Sequence, residues 1–429
     1  VRFRGAAGPA LGTRLAVAAL LAFPLCSWAE GGDDEPLPPK TEASVLPGAA
    51  YDSNLGVGFG LVGDLVRFDP DYAPYKARVA AQVFFYLGGN PSGGVRVTYQ
   101  HHYLKVDLPG LLDGRLRLRF VGRYRQQINV GYYGIGNASE DLRPWEEIDR
   151  DAAPERWAVA RRRNEYGFKK PEIGAEARLQ LTGPLSAYGA ARLWWTWVDV
   201  VPESKLADDL ASADPNLQRF LMAAGRHGVF EAAGGLIVDT RDNEIAPNRG
   251  MYHEVSLRGG PTFETQGGYG AVHANARFYA TLLEDWVVLA GRVMADALFG
   301  RPPFLELSRY GGQWPDYGPG GAVSVRGVPL QRYHGKIKVM GNLEVRTTLI
   351  RVKRFLGRSA SLGLLGFVDV GRVWADWTPQ PGLDGADLGL ALGLGGGLRI
   401  RWGGAFMVRA DVGVSPDGVG VYFDVNHIF

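Results

Sequence analysis

From Gly114 the chain reads Arg115, Leu116, Arg117, Leu118, Arg119, Phe120, and Arg123, Tyr124 and Arg125 continue in the same phase. Arginines take one face and apolar residues the other. A period of two is that of an extended strand, whose successive side chains point to opposite sides. The pattern recurs with Ile173, Ala175, Ala177, Leu179 and Leu181 opposed to Glu172, Glu176, Arg178 and Gln180. It recurs again with Ile337, Val339, Leu343, Val345 and Leu349 opposed to Lys338, Asn342, Glu344 and Arg346. One greasy and one polar face suits both a soluble sandwich and a membrane barrel. Length separates them: segments of about ten residues suit a tilted bilayer crossing and are long for a sandwich strand.

Segments of this kind lie near residues 43–51, 55–68, 76–87, 93–105, 114–125, 171–182, 185–198, 230–239, 251–259, 270–281, 285–298, 335–350, 360–374, 388–402, 404–413 and 419–429. The long connections 126–170, 199–229 and 299–334 all follow odd-numbered segments, and those after even ones, such as Gly183-Pro184, are mostly short. Bacterial barrels have this asymmetry, with short periplasmic turns and long external loops. The expected fold is all-β, a sixteen-stranded antiparallel transmembrane β-barrel. The three long connections are expected outside or folded into the lumen, and 240–250 in the periplasm. Composition supports this where it discriminates. Mean hydropathy of −0.10 argues against a helical membrane protein, whereas the two faces of a barrel average out. With 47 basic against 45 acidic residues there is no charge excess for nucleic acid, which is not expected as a partner.

Arg2, Arg4 and Arg14 precede an uncharged stretch from Leu15 to Ala29, too short to span a bilayer as a helix and suited to a secretory leader. Ser27-Trp28-Ala29 before Glu30 offers the small residues of a cleavage site. The expected organisation is a cleaved signal peptide over 1–29, a short periplasmic segment over 30–42 and an outer-membrane barrel over 43–429. The single cysteine, Cys26, falls in the leader, so the mature chain has neither a disulfide framework nor a thiol active site. In the last segment Val421, Phe423, Val425 and Phe429 share one face. A closing strand that ends in phenylalanine is typical of outer-membrane barrels, so Phe429 is expected to act as the signal read by the barrel assembly machinery.

Gly320, Gly321, Ser324, Val325, Arg326 and Gly327, in a long loop before a strand, resemble the loop-six Val-Arg-Gly signature of the bacterial surface antigen superfamily. That superfamily includes the BamA and TamA assembly barrels and the two-partner secretion transporters. Asp239 to Asn243 with Pro247, Arg249 and Gly250 is similar to the family's turn before strand nine. Asn342 to Arg346 resembles its strand twelve, Phe367 to Gly371 with Val373 and Trp374 its strand thirteen, and Leu394 to Trp402 its glycine-rich strand fourteen. The resemblance is most recognisable over 230–429. It implies a long loop six folded into the lumen, where Arg326 and Gly327 meet Glu344 and Asp369. Phase supports the acids separately, because Leu343 and Val345 flank Glu344, and Val368 and Val370 flank Asp369. A wet lumen would screen the pair, so breaking it is expected to cost roughly 1–3 kcal/mol. The chain has Val328 where the family usually has Tyr or Phe. Assembly and secretion members carry periplasmic POTRA domains, and the residues between leader and first strand leave no room for one, so a member lacking them is expected.

Other motifs carry less. Gly58-Phe-Gly-Leu-Val-Gly63 fits a dinucleotide pattern but lies within alternating β-sequence with no helix after it. His101 and His102 are adjacent and on a strand point apart, so they do not share a metal. No serine stands in a nucleophile-elbow context, and the chain is read as a non-enzyme without cofactor or metal. Arg115, Arg117, Arg119, Arg123 and Arg125 form a lumen-facing basic ladder. It is either an anion-attracting surface or, as is favoured, a set of charges paired with Glu172 and Glu176 on the next strand. Tyr132, Tyr133, Trp194, Trp195 and Trp197 are read as an interfacial girdle. The functional expectation is BamA/TamA-like insertion, assembly or transport of protein or lipid at the outer membrane through a weak seam between the first and last strands. The alternative is a passive porin-like solute channel. Outer-membrane lipid, the assembly machinery during biogenesis and a separate soluble periplasmic protein are the expected partners.

Overall fold

The computed structural model describes residues 40–429 except 70–71, 140–142, 222–223, 245, 265–266, 285, 314, 356–357, 403–405 and 426. The leader over 1–29 and most of segment 30–42 therefore lie outside the described residues. The barrel strands are β1 (Lys40–Asp52), β2 (Gly56–Asp69), β3 (Tyr72–Gly89), β4 (Val95–Leu111), β5 (Leu116–Gly131), β6 (Glu165–Thr182), β7 (Leu185–Val200) and β8 (His227–Asp239). They continue with β9 (Gly250–Phe263), β10 (Gly267–Leu283), β11 (Val287–Gly300), β12 (Ile337–Phe355), β13 (Arg358–Trp374), β14 (Ala391–Trp402), β15 (Phe406–Ser415) and β16 (Gly418–Val425). All sixteen are antiparallel to their neighbours, and β1 pairs with β16 to close the barrel. The connections 132–164, 201–226, 301–336 and 375–390 all follow odd strands, and the longest after an even strand is 240–249. The loop parity read from the sequence is thus the parity of the barrel.

Exposure is inverted relative to a soluble protein. Ile173 is 61% exposed while its neighbour Glu172 is 6% exposed, which only a lipid-facing exterior makes favourable. Phe120, Leu179, Leu343 and Val345 are exposed in the same way, and Leu116, Leu118 and Val339 partly so. Ile173 stands in the middle of β6. Ile173→Arg should therefore lower the unfolding free energy by about 2–4 kcal/mol, the cost of a midplane cation on the lipid face. A urea titration followed by the heat-modifiable mobility of the folded barrel measures this, and an unchanged midpoint would mean that the face is wrongly assigned.

Three sequence expectations change. Arg115 lies before β5, in the turn where its backbone N–H donates to Leu112, and its side chain is exposed rather than part of the ladder. Tyr132 and Trp194 are not in a girdle but buried inside. Tyr132 lies 5.6 Å from the Phe304 ring and 5.2 Å from that of His334, between centroids, and the Lys170 ammonium sits 4.2 Å over Trp194. These rings pack with Tyr166, Phe168 and Leu298 into an internal apolar cluster where 132–164 and 301–336 meet. Burial pushes the His334 imidazole down to about 3, so it packs there as a neutral ring. Finally, β16 ends at Val425, and Phe429 does not continue its lipid face. Its buried ring packs on Tyr279 and Ala290, with the Arg292 and Arg346 guanidiniums 5.0 Å from its centroid. Arg346 donates to its carbonyl at 3.1 Å. Two cations directed at one ring hold the tail inward.

Candidate functional site

On β12, β13 and β15 the exposed residues Leu343, Val345, Val368 and Val412 alternate with the buried Glu344, Asp369 and Asp411. The period of a strand therefore aims three carboxylates at one internal volume. Asp369 is in register with Asn342 on one side and Gly393 on the other. A Cβ at Gly393 would stand 2.1 Å from the Arg326 carbonyl oxygen, and one at Gly413 would stand 2.7 Å from its carbonyl carbon. Glycine at these two wall positions opens the slot that the loop backbone occupies.

Into this slot comes Arg326, with no exposed surface. Its Nε and Nη2 donate to the two oxygens of Asp369 at 2.8 and 3.0 Å, and its backbone N–H donates to the same carboxylate at 3.1 Å. Nη1 lies 2.8 Å from Glu344 Oε1 and 3.3 Å from Asp411 Oδ2. The Glu344 contact is ionic without hydrogen-bond alignment, since Oε1 accepts no bond. The guanidinium lies 3.4 Å from the centroid of the Phe367 ring. Burial by itself would lower its pKa, but Glu344 and Asp369 outweigh that and hold it above the ordinary value. The acids are matched in turn: Arg346 donates to Glu344 at 2.8 Å, Asn342 to Asp369 at 2.8 Å, and Arg399 to Asp411 at 3.2 Å. The structure thus brings together Arg326, Glu344 and Asp369. Asp411 and Phe367 were missed, although Asp411 could have been found from its phase between Ala410 and Val412.

Gly327 has φ +92, and a Cβ there would lie 2.8 Å from the Val414 carbonyl carbon, so no other residue fits without displacement. Its N–H donates to the Tyr422 hydroxyl at 3.2 Å and its carbonyl accepts from Ser415 at 2.8 Å. Val328 is buried with Val325, Tyr333, Val373 and Ala391, filling the position where the family usually has an aromatic ring.

A second cluster that the sequence did not reveal holds the start of the same loop. Arg258 of β9 forks onto Asp296 of β11 at 2.7 and 3.1 Å and reaches Glu306 of the loop at 3.1 Å. Loop residue Arg309 lies 3.2 Å from Glu231 of β8, which also pairs with Arg192 at 2.8 Å. Lys338 lies 3.4 Å from Asp296, and the Gly311 N–H donates to Asp296 at 2.9 Å.

The basic ladder meets the acids of neighbouring strands. Arg117 Nε donates to Asp107 at 2.7 Å, Arg119 lies 3.1 Å from Glu176, and Arg123 and Arg125 lie 3.6 and 3.9 Å from Glu172.

At the seam, every residue of β1 pairs with β2, but only Tyr51 and Asp52 pair with β16, opposite Phe423 and Tyr422. Ser53 N–H adds one bond to the Val421 carbonyl at 3.0 Å. Among the described residues, Lys40 to Ala50 have no ladder partner on β16. Tyr422 therefore touches both the loop tip, through Gly327, and the closed end of the seam, through Asp52.

The Omp85 superfamily domain matches residues 86–426. The chain belongs to the Omp85 superfamily. Members of this superfamily are outer-membrane β-barrels, in agreement with the resemblance drawn from the loop-six signature. No curated protein matches the chain in sequence. In fold it is similar to BamA from Haemophilus ducreyi lacking POTRA domains 1-3, with a TM-score of 0.54 at 13% identity over 90% of this chain and 70% of that one. It is also similar to CdiB from Escherichia coli, with a TM-score of 0.52 at 12% identity over 91% of this chain and 68% of that one.

Proposed function

We propose that this Omp85 barrel inserts, assembles or transports protein or lipid clients at the outer membrane, and that the β1–β16 seam is where the client engages. The observation that carries this reading is the edge of β1. Among the described residues its segment 40–50 has no partner on the seam side, and an unpaired backbone group in hydrocarbon costs several kcal/mol. An open strand edge of this kind is a template for a further strand. The contact of Gly327 with Tyr422 gives loop six a direct hold on the closed end of that seam. A soluble periplasmic protein would deliver the client, the assembly machinery would insert the barrel itself, and no chemical step is assigned to it. A passive channel is less well supported, because 301–336 packs against inward residues of β8, β9, β11 and β13.

Tyr51 and Phe423 are opposite each other, with ring centroids 6.1 Å apart, and the described residues contain no cysteine. The pair Tyr51→Cys and Phe423→Cys therefore forms a reducible lock across the seam. Liposomes holding the barrel should speed the folding of a small urea-unfolded outer-membrane barrel when the lock is reduced. When it is oxidised the rate should fall to that of empty liposomes. Equal acceleration in both states would sink the seam, and no acceleration in either would sink client insertion and favour the channel.

A further inference from the structure

On the outer wall of β4 and β5 a polar cluster interrupts the lipid face. Leu104 and Phe120 are exposed there, but further along the same face stand His102 opposite Tyr124 and Gln100 opposite Gln126. The period of two puts all four outside, and Val83, in register with His102, is likewise exposed. They bind one another. Gln100 donates to the Gln126 amide oxygen at 3.4 Å, Tyr124 donates to the same oxygen at 2.9 Å, and His102 Nε2 lies 3.3 Å from the Gln100 amide oxygen. The His102 and Tyr124 rings stack with centroids 6.2 Å apart. The Gln126 oxygen is thus used twice, while its amide nitrogen donates to nothing among the described residues. Amide donors left open on a lipid face are costly unless a ligand meets them.

Depth and neighbours say what meets them. Gln126 is in register with Lys169 on β6, and Lys169 with Trp197 on β7. This row stands four residues from Ile173 at the middle of β6, about 10 Å along the axis for a tilted strand, and the apolar band of such a barrel is about 25 Å tall. It lies where acyl chains give way to headgroups. The row is on the side of the long connection 132–164, and hence in the outer leaflet. Lys169 is 3.5 Å from Asp199, and Arg226, 5.9 Å from the Trp197 ring, is 3.3 Å from Glu264. Each of these cations has an acid beside it, so recognition falls to neutral donors and acceptors and to the Trp197 ring.

We propose that this face binds a glycolipid of the outer leaflet, its acyl chains along Val83, Leu104 and Phe120 and its sugar headgroup against Gln100, Gln126 and Trp197. Sugar hydroxyls and acyl amides offer the hydrogen-bond partners that carboxamides require, and an indole ring offers a flat face to a sugar ring. The headgroup of a simple phospholipid offers mainly charge. The inference does not depend on the seam or on client insertion.

The test reconstitutes the barrel in phosphatidylcholine vesicles containing either lipid A, an acylated glucosamine disaccharide, or phosphatidylglycerol, which is anionic but has no sugar. The barrel is then extracted in detergent, and the lipid still bound is counted by mass spectrometry. Lipid A is expected to stay on the barrel and phosphatidylglycerol to wash away. In the double variant Gln100→Leu with Gln126→Leu, retention of lipid A should fall about tenfold, the effect of losing two hydrogen-bonding side chains. The variant only adds apolar surface to a lipid face, so in pure phosphatidylcholine its folded form should resist heat as the unaltered barrel does. Leu257→Ala, at an exposed position of β9, should retain lipid A fully. The comparison of the two lipids needs no variant, so it decides even where the double variant folds poorly. Equal retention of both lipids, no retention of lipid A, or full retention in the double variant overturns the proposal. So does a dimer that carries neither lipid, which would put a second copy on this face.

Discussion

Arg326→Ala is expected to lower the unfolding free energy of the barrel by about 3–5 kcal/mol and to open residues 318–334 to protease. That is the cost of leaving one side of a buried ion pair uncompensated. A screened lumen would have reduced the figure, but the structure removes the discount: Arg326, Glu344, Asp369 and Asp411 have no exposed side-chain surface. Without the guanidinium, the three carboxylates keep, among the described residues, hydrogen bonds from Arg346, Asn342 and Arg399 and the Arg409 guanidinium 3.6 Å from Asp411. Arg326→Lys should restore little. An ammonium is a point charge and does not reproduce the side-on fork to Asp369 while also reaching Glu344 and Asp411. Heat resistance of the folded form on gels and limited proteolysis measure both effects. Wild-type midpoints and wild-type protection in Arg326→Ala would show that the loop is held by something else.

Asp296→Asn should cost a similar 3–5 kcal/mol, from the other end of the loop. The substitution keeps the shape and removes the charge that faces Arg258 at 2.7 Å and Lys338 at 3.4 Å. Arg192, Arg258 and Arg309 would keep their ion pairs with Glu231 and Glu306, while Lys338 would keep the Glu306 and Gly335 carbonyls in place of its carboxylate. The protease pattern separates this variant from the first. New cleavage is expected within 301–317, while the tip around Arg326 stays protected by its own carboxylates. Cleavage confined to 318–334 would contradict the assignment of Asp296 as a separate anchor, as would an unchanged unfolding midpoint.

Strand positions, loop parity and the direction of most strand side chains were legible in the sequence, because all three follow from a period of two and from where it is interrupted; Trp194 and Phe429, which turn inward, are exceptions. Glu344 and Asp369 were assigned to the interior on that ground, flanked by Leu343 and Val345 and by Val368 and Val370, and their meeting with Arg326 came from the loop-six resemblance. Asp411 satisfied the same phase rule but has no motif around it. The cluster of Arg258, Asp296 and Glu306 was not legible, because its members are 38 and 48 residues apart from Arg258 along the chain. Phase says that each points inward without saying which other inward residue it meets.

The barrel and its two faces thus follow from local properties, alternation and strand length, and only a membrane makes the exposed apolar face stable. Tertiary structure decided the rest. The slot at Gly393 and Gly413 exists only once β13, β14 and β15 are in register. The sharing of Glu172 among three cations depends on β5 lying beside β6. The inward turn of Phe429 depends on Arg292 and Arg346 being within reach across the lumen. The short seam depends on how far β16 runs alongside β1. Each is set by the closure of the sheet, which fixes distances between residues far apart in the chain, and no local pattern of side chains encodes those distances.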